Sequence, residues 1–353
     1  MRSFVFWFTL ILFVIFRIIS IWPHYTDGAR VKIHAHVSSE PIRKGEYQYV
    51  KLTSLSARLP AYPIVSYGDK LVVEGIVKYP YLDEAKIIEH NKTIAFLFHF
   101  RDKIIKLFDH ALPEPHSSLV SGIVIGARAG IPNDFTNALR STGTAHVVVA
   151  SGMNVTFVAG FLVSTFVLFM HRRKAIVFAL SGIWLYVALS GFDAPLVRAG
   201  VMGTLAYSAQ ASGRVVSGIR ALFISAACML IIFPHWIVDL GFILSFLATY
   251  SLMVFEPSIN RLIHFVPSII REGLSTSLAA QIAVTPVLIT AFGSVNPLSP
   301  IINALILWTI PPIMIIGSLG AIVGLFVPKA GEFVVILAYP FTLWFVSVVR
   351  AFV

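Results

Sequence analysis

Charged residues are scarce in this chain of 353 residues. Asp, Glu, Lys and Arg make up 12% of it, about half the share in soluble globular proteins, whereas 57% is hydrophobic. This composition excludes an ordinary soluble domain and indicates a membrane protein. Acidic residues are scarcer than basic ones, 17 against 27. Such a surplus is typical first of the cytoplasmic loops of membrane proteins and second of proteins that bind an anionic ligand.

Motifs for cofactors, metals and catalysis are also missing. The single cysteine, Cys228, excludes an internal disulfide and a cysteine-based metal cluster. There is no Walker motif, Rossmann fingerprint or H-E-x-x-H motif, and two histidines at His34 and His36 make a weak metal site. Ser151 and His146 lack the G-x-S-x-G context of a hydrolase. We therefore predict no metal, no cofactor and no enzymatic activity.

Hydropathy divides the chain into four parts. Residues 1–23 predict an uncleaved transmembrane anchor, and residues 24–92 alternate apolar and polar positions as half-buried strands do. We interpret these strands as a small OB-like β-barrel, with an open meander as the alternative. Residues 93–142 predict amphipathic helices that lie in the membrane interface or cover the β domain. Residues 143–353 predict a polytopic, mainly α-helical membrane bundle with interrupted helices, the dominant fold of the chain.

Basic loops predict the orientation of this bundle. Eight spans between residues 144 and 349 follow the anchor, and Arg172, Arg214, Arg261 and Lys329 lie in alternate loops. The intervening turns are nearly uncharged. By the positive-inside rule the basic loops face the cytoplasm, which places the β domain outside it and the chain in the cytoplasmic (inner) membrane.

A few strongly polar side chains interrupt the predicted spans. A charge facing lipid costs at least about 2.5 kcal/mol, so such groups normally face a partner or a hydrated cavity. We expect Arg198 to pair with Asp239, either as a structural ion pair or within a polar passage. Glycines and prolines that interrupt the helices favour a conduit over a passive anchor, because non-helical backbone inside a membrane needs protein or water partners. The polar set is His146, Asn154, Asp193, Arg198, Asp239, Gln281 and Asn303.

Four stretches resemble, in order, the sequence blocks of the ComEC-type competence proteins. GTAHVVVASGMNVTFVAGF matches at His146, Ser151 and Gly152, although Asn154 stands where the family commonly has a second histidine. GFDAPLVRAGVMG resembles the block that contains Arg198. WIVDLGFILSFLATYSL and AQIAVTPVLITAFGSVNPLSPIINAL resemble the two later blocks, with Ile243 in place of the usual Gln. The likeness covers nearly the whole chain.

The resemblance implies a channel that passes one DNA strand across the cytoplasmic membrane in natural transformation. Such a conduit needs positive, hydrogen-bonding and base-stacking groups. The predicted pathway comprises His146, Ser151, Gly152, Asn154, Arg198, Asp239 and Gln281. The predicted DNA-binding residues of the outer domain are Lys32, Arg43, Lys44, Lys51, Arg58 and Lys70.

The same reading predicts several partners besides single-stranded DNA and the lipid bilayer. We expect a DNA receptor outside the membrane, and a cytoplasmic motor ATPase because the chain has no motor motif. Many relatives carry a further metallo-β-lactamase-like domain that is missing before Val353, so we expect a separate nuclease. A homo-oligomer is compatible with the sequence. The alternatives are a transporter of a small anionic solute, which broken helices and a buried arginine would also suit, and an intramembrane hydrolase that uses Ser151 and His146.

Overall fold

We describe the fold from a computed structural model of the chain. The structure describes residues 2–21, 26–37, 41–44, 46–52, 55–65, 68–78, 81–91, 96–127, 130–149, 151–293 and 295–353.

The first part of the chain after the anchor forms a six-stranded mixed sheet. Its strands are β1 (Arg30–His36), β2 (Ile42–Lys44), β3 (Tyr47–Lys51), β4 (Ser56–Pro60), β5 (Lys70–Lys78) and β6 (Tyr81–Asn91). The order is β1-β5-β6-β4-β3-β2, with β4 and β6 parallel and the other pairs antiparallel. The predicted closed barrel is wrong for this part of the described chain. One antiparallel bridge, Val37 to Leu52, joins the ends of β1 and β3 instead of a full ladder.

Alternation of side chains gives the sheet one buried face. In β3 the side chains of Gln48 and Val50 are buried, whereas those of Tyr47, Tyr49 and Lys51 are exposed. The buried amide of Gln48 donates to the carbonyls of Pro60 and Pro63, both at 2.7 Å, and its oxygen accepts from the Val65 N–H. The buried side chain of Gln48 therefore holds the loop after β4 in place. Its hydrogen bonds satisfy backbone groups that the sheet does not pair.

Fifteen α-helices of the described residues make up most of the remaining chain. The first eight are α1 (Arg2–Ile21), α2 (Phe96–Ala111), α3 (His116–Ile125), α4 (Asn133–Ser141), α5 (Ala145–Val148), α6 (Gly152–Val167), α7 (Arg172–Leu189) and α8 (Ala194–Ala211). The others are α9 (Gly218–Ile232), α10 (Leu240–Leu262), α11 (Ser268–Phe292), α12 (Ser299–Ile306), α13 (Ile310–Phe326), α14 (Pro328–Ile336) and α15 (Tyr339–Ala351).

The helices enclose two apolar cores. One gathers side chains from α2, α3, α13 and α15, and the other from α6 to α10. The amphipathic helix α2 contributes Ile104, Leu107 and Phe108 to the first core and packs against α3, α13 and α14. The bundle therefore takes up the apolar face of α2, and both predicted positions of this face, in the membrane interface and against the β domain, are wrong.

The anchor helix α1 packs on the bundle as well. The Arg17 Nε donates to the carbonyl oxygen of Ile231 at 3.2 Å, near the end of α9. The ring of Trp7 meets that of Phe223 edge to face at 6.3 Å. Arg17, which interrupts the apolar run of the anchor, thus donates to one of the last carbonyls of α9. The helix dipole makes this end of a helix partially negative, so a cation is favourable there.

Fewer helices meet the requirements of a membrane span than the predicted nine. Among the described residues four stretches are long and apolar enough: Ala145–Val167, which joins α5 and α6, Leu240–Leu262, Ile270–Ala291, and Ser299–Phe326, which joins α12 and α13. A fifth span results if Pro328–Ile336 and Tyr339–Ala351, bent by 48°, count as one. The anchor helix α1 has 20 residues, and the other predicted spans form helices that are shorter or more polar. A multi-pass membrane bundle with interrupted helices is confirmed.

The contact between α13 and α14 depends on two glycines. A Cβ at Gly331 would lie 2.6 Å from the Gly324 nitrogen and 2.7 Å from the Gly320 oxygen, both backbone atoms. Gly331→Ala should therefore lower the stability of the full chain in detergent by about 1–3 kcal/mol, measured by thermal unfolding. Gly203→Ala, where a Cβ meets nothing within 4 Å, is the control, since it gains the same helix propensity. Equal stability of the two variants would contradict this packing.

Candidate functional site

The chain leaves helical geometry between α5 and α6. Ser151 is extended, with φ −116° and ψ 174°, and α6 begins at Gly152. The Ser151 side chain does not cap the helix; its hydroxyl lies 3.4 Å from Asn154 Oδ1 and donates to it. The carbonyl of Ser151 accepts from the N–H groups of Asn154 and Val155. The interruption predicted at this stretch is confirmed, and it leaves the first amides of α6 without a side-chain cap.

Arg198, on the second turn of α8, lies against this helix start. A Cβ at Gly152 would lie 2.7 Å from Arg198 Nη2, so the missing side chain makes room for the guanidinium. Arg198 is 9% exposed, and its Nε has no hydrogen-bond partner among the described residues. Its Cζ lies 6.0 Å from the centre of the Phe246 ring on α10. A buried arginine thus faces a glycine and an aromatic ring.

Asn154 connects the polar group that Ser151 and Arg198 form at the start of α6 to α3 and α7. Its amide, 1% exposed, donates to the carbonyl of Ile123 on α3 at 2.6 Å. On α7 the side chain of Tyr186 lies near those of Asn154 and Ser190. Neither the Tyr186 nor the Ser190 hydroxyl makes a hydrogen bond of good geometry within the described chain. Sequence analysis missed both, because one tyrosine or serine in an apolar helix gives no distinguishing pattern.

Asp239 connects the bundle to the β domain and does not pair with Arg198 as expected. Asp239 Oδ2 forms an ion pair with Lys51 Nζ at the end of β3, and Oδ1 accepts from the Phe242 N–H at 3.0 Å. The expected Arg198–Asp239 pair is therefore wrong. The Phe242 ring lies 4.4 Å from the ring of Phe246, which in turn lies 6.0 Å from Arg198 Cζ.

The charge of Asp239 is secured by its surroundings. Burial alone raises the pKa of this carboxyl, but the Lys51 charge and hydrogen bonds from Lys51, Phe242 and Gly241 outweigh it, so its pKa lies below the ordinary 3.8. A depressed pKa means that the carboxylate stabilises the folded state above pH 3.8 and loses this effect as the pH falls through the lower value. The ion pair is therefore present throughout the neutral range.

The structure leaves three of the predicted polar residues apart from this group. The His146 side chain is exposed at the start of α5, and its Nδ1 lies 3.1 Å from the Gly143 oxygen. Gln281 is half-buried on α11 without a recorded side-chain contact to the group in the described chain. Asn303 donates to the hydroxyls of Ser277 and Ser299 in a separate cluster. The hydroxyl of Ser151 bonds Asn154 rather than His146, so this geometry does not support a Ser–His hydrolase.

The predicted basic residues of the β domain that the structure describes lie toward the two opposite edges of the sheet. Arg58 and Lys51 share the exposed face of β3 and β4, and the Arg58 Cζ lies 3.6 Å above the Tyr47 ring. Lys32 and Lys70 are exposed on β1 and β5, where Lys32 stands opposite Glu74, the partner of Arg30. The side chains of Arg43 and Lys44 lie outside the described residues. No group of three or more His, Cys, Asp or Glu suited to a metal occurs in the described chain.

Comparison with known families gives this arrangement a context. The model of the family described as "Competence protein" matches residues 123–353. The chain belongs to the Competence protein family. The matched region contains the start of α6, Arg198 and Asp239, whereas the β domain precedes it. The resemblance drawn from the four sequence blocks is confirmed.

Individual relatives share only 25–29% identical residues with the chain in the aligned regions. The chain is 25% identical over 206 residues to "ComE operon protein 3" of Bacillus subtilis, an alignment that covers 58% of this chain and 26% of the relative. An uncharacterized protein of Aquifex aeolicus is 29% identical over 214 residues, covering 58% and 49%. The uncharacterized protein YcaI of Escherichia coli is 25% identical over 233 residues, covering 63% and 30%. These alignments span between about a quarter and half of each relative. No solved structure matches the chain.

The Lys51–Asp239 contact can be tested by zero-length cross-linking. A carbodiimide joins an ammonium to a carboxylate in contact with it, so mass spectrometry should detect a Lys51–Asp239 linkage. Asp239→Asn should abolish this linkage while α10 keeps its start, since an asparagine oxygen also accepts from the N–H of the first turn. The exposed pair Lys78–Asp83, at 2.8 Å within the β domain, is the internal control. A product at Lys78–Asp83 without one at Lys51–Asp239 would contradict the contact.

Proposed function

We propose that this protein passes a single strand of DNA across the cytoplasmic membrane during natural transformation. One observation carries the proposal: a line of cationic and aromatic groups leads from the β domain into the bundle. Lys51 contacts Asp239, Asp239 holds the start of α10 through the Phe242 amide, and the ring of Phe242 packs on Phe246. Phe246 faces Arg198, which lies against Gly152.

This line matches the chemistry of a single DNA strand. Every nucleotide carries a negative phosphate and an aromatic base, and proteins that bind single strands combine basic grooves with stacking side chains. Arg198 supplies a cation inside the bundle, and Phe242 and Phe246 supply ring surfaces beside it. The single acidic group of the line, Asp239, already has its charge matched by Lys51. A strand thus meets no uncompensated negative charge along these residues.

The β domain supplies a surface that would receive the strand. Tyr47, Tyr49, Lys51 and Arg58 share one exposed face, and this face ends at Lys51, where the domain meets Asp239. Base–aromatic stacking is worth about 1–3 kcal/mol per base and tolerates any sequence. The face therefore suits a single strand on its way to the bundle, with Lys51 at the entrance.

Helix direction supports an outer position of this domain. Lys51 contacts the start of α10, and the buried group lies at the starts of α6 and α8. The ends of these helices lead to the basic loops with Arg172, Arg214 and Arg261. The β domain and the basic loops thus occupy opposite ends of the bundle. With the basic loops in the cytoplasm, the domain lies outside.

The buried hydroxyls favour a hydrated passage. The hydroxyls of Tyr186 and Ser190 and the Nε of Arg198 are buried without a partner in the described chain. Buried polar atoms are normally satisfied by protein or by ordered water. Water or a passing polar strand would satisfy these groups, whereas a dry helix contact would leave them at a cost of about 1–3 kcal/mol each.

The alternative function is transport of a small anionic solute. Arg198, which lies on α8 against the start of α6, suits a small anion equally well. The face with Tyr47, Tyr49 and Arg58 favours the strand, because a small solute gains nothing from stacking groups spread along two strands of an external sheet. A passive conduit would also need partners. We propose a DNA receptor outside, a cytoplasmic motor ATPase, a separate nuclease and, as a further option, a homo-oligomer.

The proposal is tested by uptake of labelled DNA into the cytoplasm of transformable cells. Deletion of the gene should abolish internalised label, and Phe246→Leu should lower it about fivefold or more, because leucine keeps an apolar side chain but removes the stacking surface. Arg198→Ala should abolish uptake. Phe161→Leu, at a 56% exposed position on α6, is the matched control and should retain uptake.

Protein levels in the membrane must be equal for all variants in this comparison. Internalised label that is unchanged by the deletion would reject the proposal. Equal loss in Phe246→Leu and Phe161→Leu would reject the route along α10.

A further inference from the structure

The start of α6 has the features of an anion-binding helix terminus. The first N–H groups of a helix have no acceptor within it, and here Gly152 and Met153 hold these positions, because Asn154 and Val155 already bond to the Ser151 carbonyl. The usual capping group is turned away, since the Ser151 hydroxyl bonds Asn154 instead. The helix dipole adds a partial positive charge at this end, which favours an anion.

A second and independent feature points to the same ligand. Arg198, 91% buried, brings its guanidinium to Gly152, and no carboxylate pairs with it within the described chain. A buried cation without a counter-charge is unfavourable, because its desolvation is not repaid. The Arg101 guanidinium, by contrast, donates to the carbonyls of Leu189 and Gly126. Arg198 has no such carbonyl partners in the described residues, which leaves its donors for a bound anion.

We propose that Arg198 and the Gly152 and Met153 amides form a binding site for one phosphodiester anion. The guanidinium offers paired donors that match two phosphate oxygens, and the amides offer donors from the other element. One arginine and one helix terminus balance a single negative charge, which is the charge of a phosphodiester. That this phosphodiester belongs to a translocating DNA strand rests on the proposed function; the site itself rests on the geometry alone.

Gly152 is the residue that makes this geometry possible. A Cβ at this position would stand 2.7 Å from Arg198 Nη2, so any other residue pushes the guanidinium away from the helix start. The guanidinium ends a flexible side chain and can move, so Gly152→Ala should fold. Its effect should fall on anion binding. Gly160→Ala on the same helix meets nothing within 4 Å and is the matched control.

The experiment uses the full chain in an uncharged detergent with thymidylyl-thymidine as the probe. This dinucleotide has one phosphodiester and no terminal phosphate, and phosphorus NMR titration reports its binding. Wild type and Gly160→Ala should bind it with similar affinity, and Arg58→Met, which removes a cation of the proposed receiving face, tests whether the dinucleotide binds on the β domain instead. Gly152→Ala and Arg198→Met should bind it at least about tenfold more weakly, as expected for loss of charge-assisted hydrogen bonds. Arg198→Lys, which keeps the charge but not the fork, should fall between.

Three results would overturn the site: no binding by the wild type, equal binding by Gly152→Ala, or loss confined to Arg58→Met, which would place the anion on the β domain. A phospholipid headgroup has the same phosphodiester, so a second arm repeats the titration in nanodiscs with and without phosphatidylglycerol. Displacement of the dinucleotide by phosphatidylglycerol would overturn the assignment to a strand, and undisturbed binding would support it.

The outcome is separable from that of the proposed function. Selective dinucleotide binding together with normal uptake of labelled DNA in Arg198→Ala cells would keep the site and reject the conduit. Loss of uptake in Phe246→Leu together with undiminished dinucleotide binding by Gly152→Ala would keep the conduit and reject the site.

Discussion

Arg198 is a buried cation without a counter-charge in the described chain, and this is the central constraint on the residues around it. A protonated arginine within a helix bundle is stable only if charge, dipole or water compensates it. Asp239, which the sequence suggested as its counter-charge, is paired with Lys51 instead. What remains beside Arg198 is a ring face, a glycine and the start of a helix. None of these carries a formal negative charge, so the described neighbours do not cancel the charge of Arg198.

The ion pair that occupies Asp239 also gives the β domain its place. Lys51 is the last residue of the strand that presents two tyrosines, and its partner is the residue that starts α10. The stacking face and the membrane bundle therefore meet at a defined residue pair. Single side chains connect the exposed face of β3 and β4 to Arg198: Lys51 contacts Asp239, and the ring of Phe242 packs on Phe246, which faces Arg198.

The parts of the fold that depend on local pattern were predictable from the sequence. Apolar runs identified the membrane helices, and alternation identified the strands, because each reflects which faces of one element are buried. The closed barrel was wrong, since closure depends on pairing between distant strands that alternation does not encode. In the described chain, fewer helices than the nine predicted spans meet the requirements of length and hydropathy, because basic residues at the start of α7 and polar residues within α8 lower the hydropathy of these two helices.

Most residues of the candidate site were predictable from the sequence, but the contacts between them were not. Ser151, Gly152, Asn154 and Arg198 stood out because polar or flexible residues are rare in such surroundings, and the structure brings them together. His146 and Gln281 stood out by the same rule yet lie elsewhere. The partner of Asp239 was misassigned because Lys51 belongs to another domain, and Tyr186 was missed because its aromatic ring suits an apolar helix.

The packing of the two helices that flank the β domain limits how that domain can travel. Before it, α1 is fixed to α9 through Arg17; after it, α2 is buried against α3, α13 and α14. A domain that is connected at both ends to packed helices is more restricted than one attached by a single linker. Loss of the Lys51–Asp239 contact would therefore leave the β domain joined at both of its ends to helices that pack on the bundle.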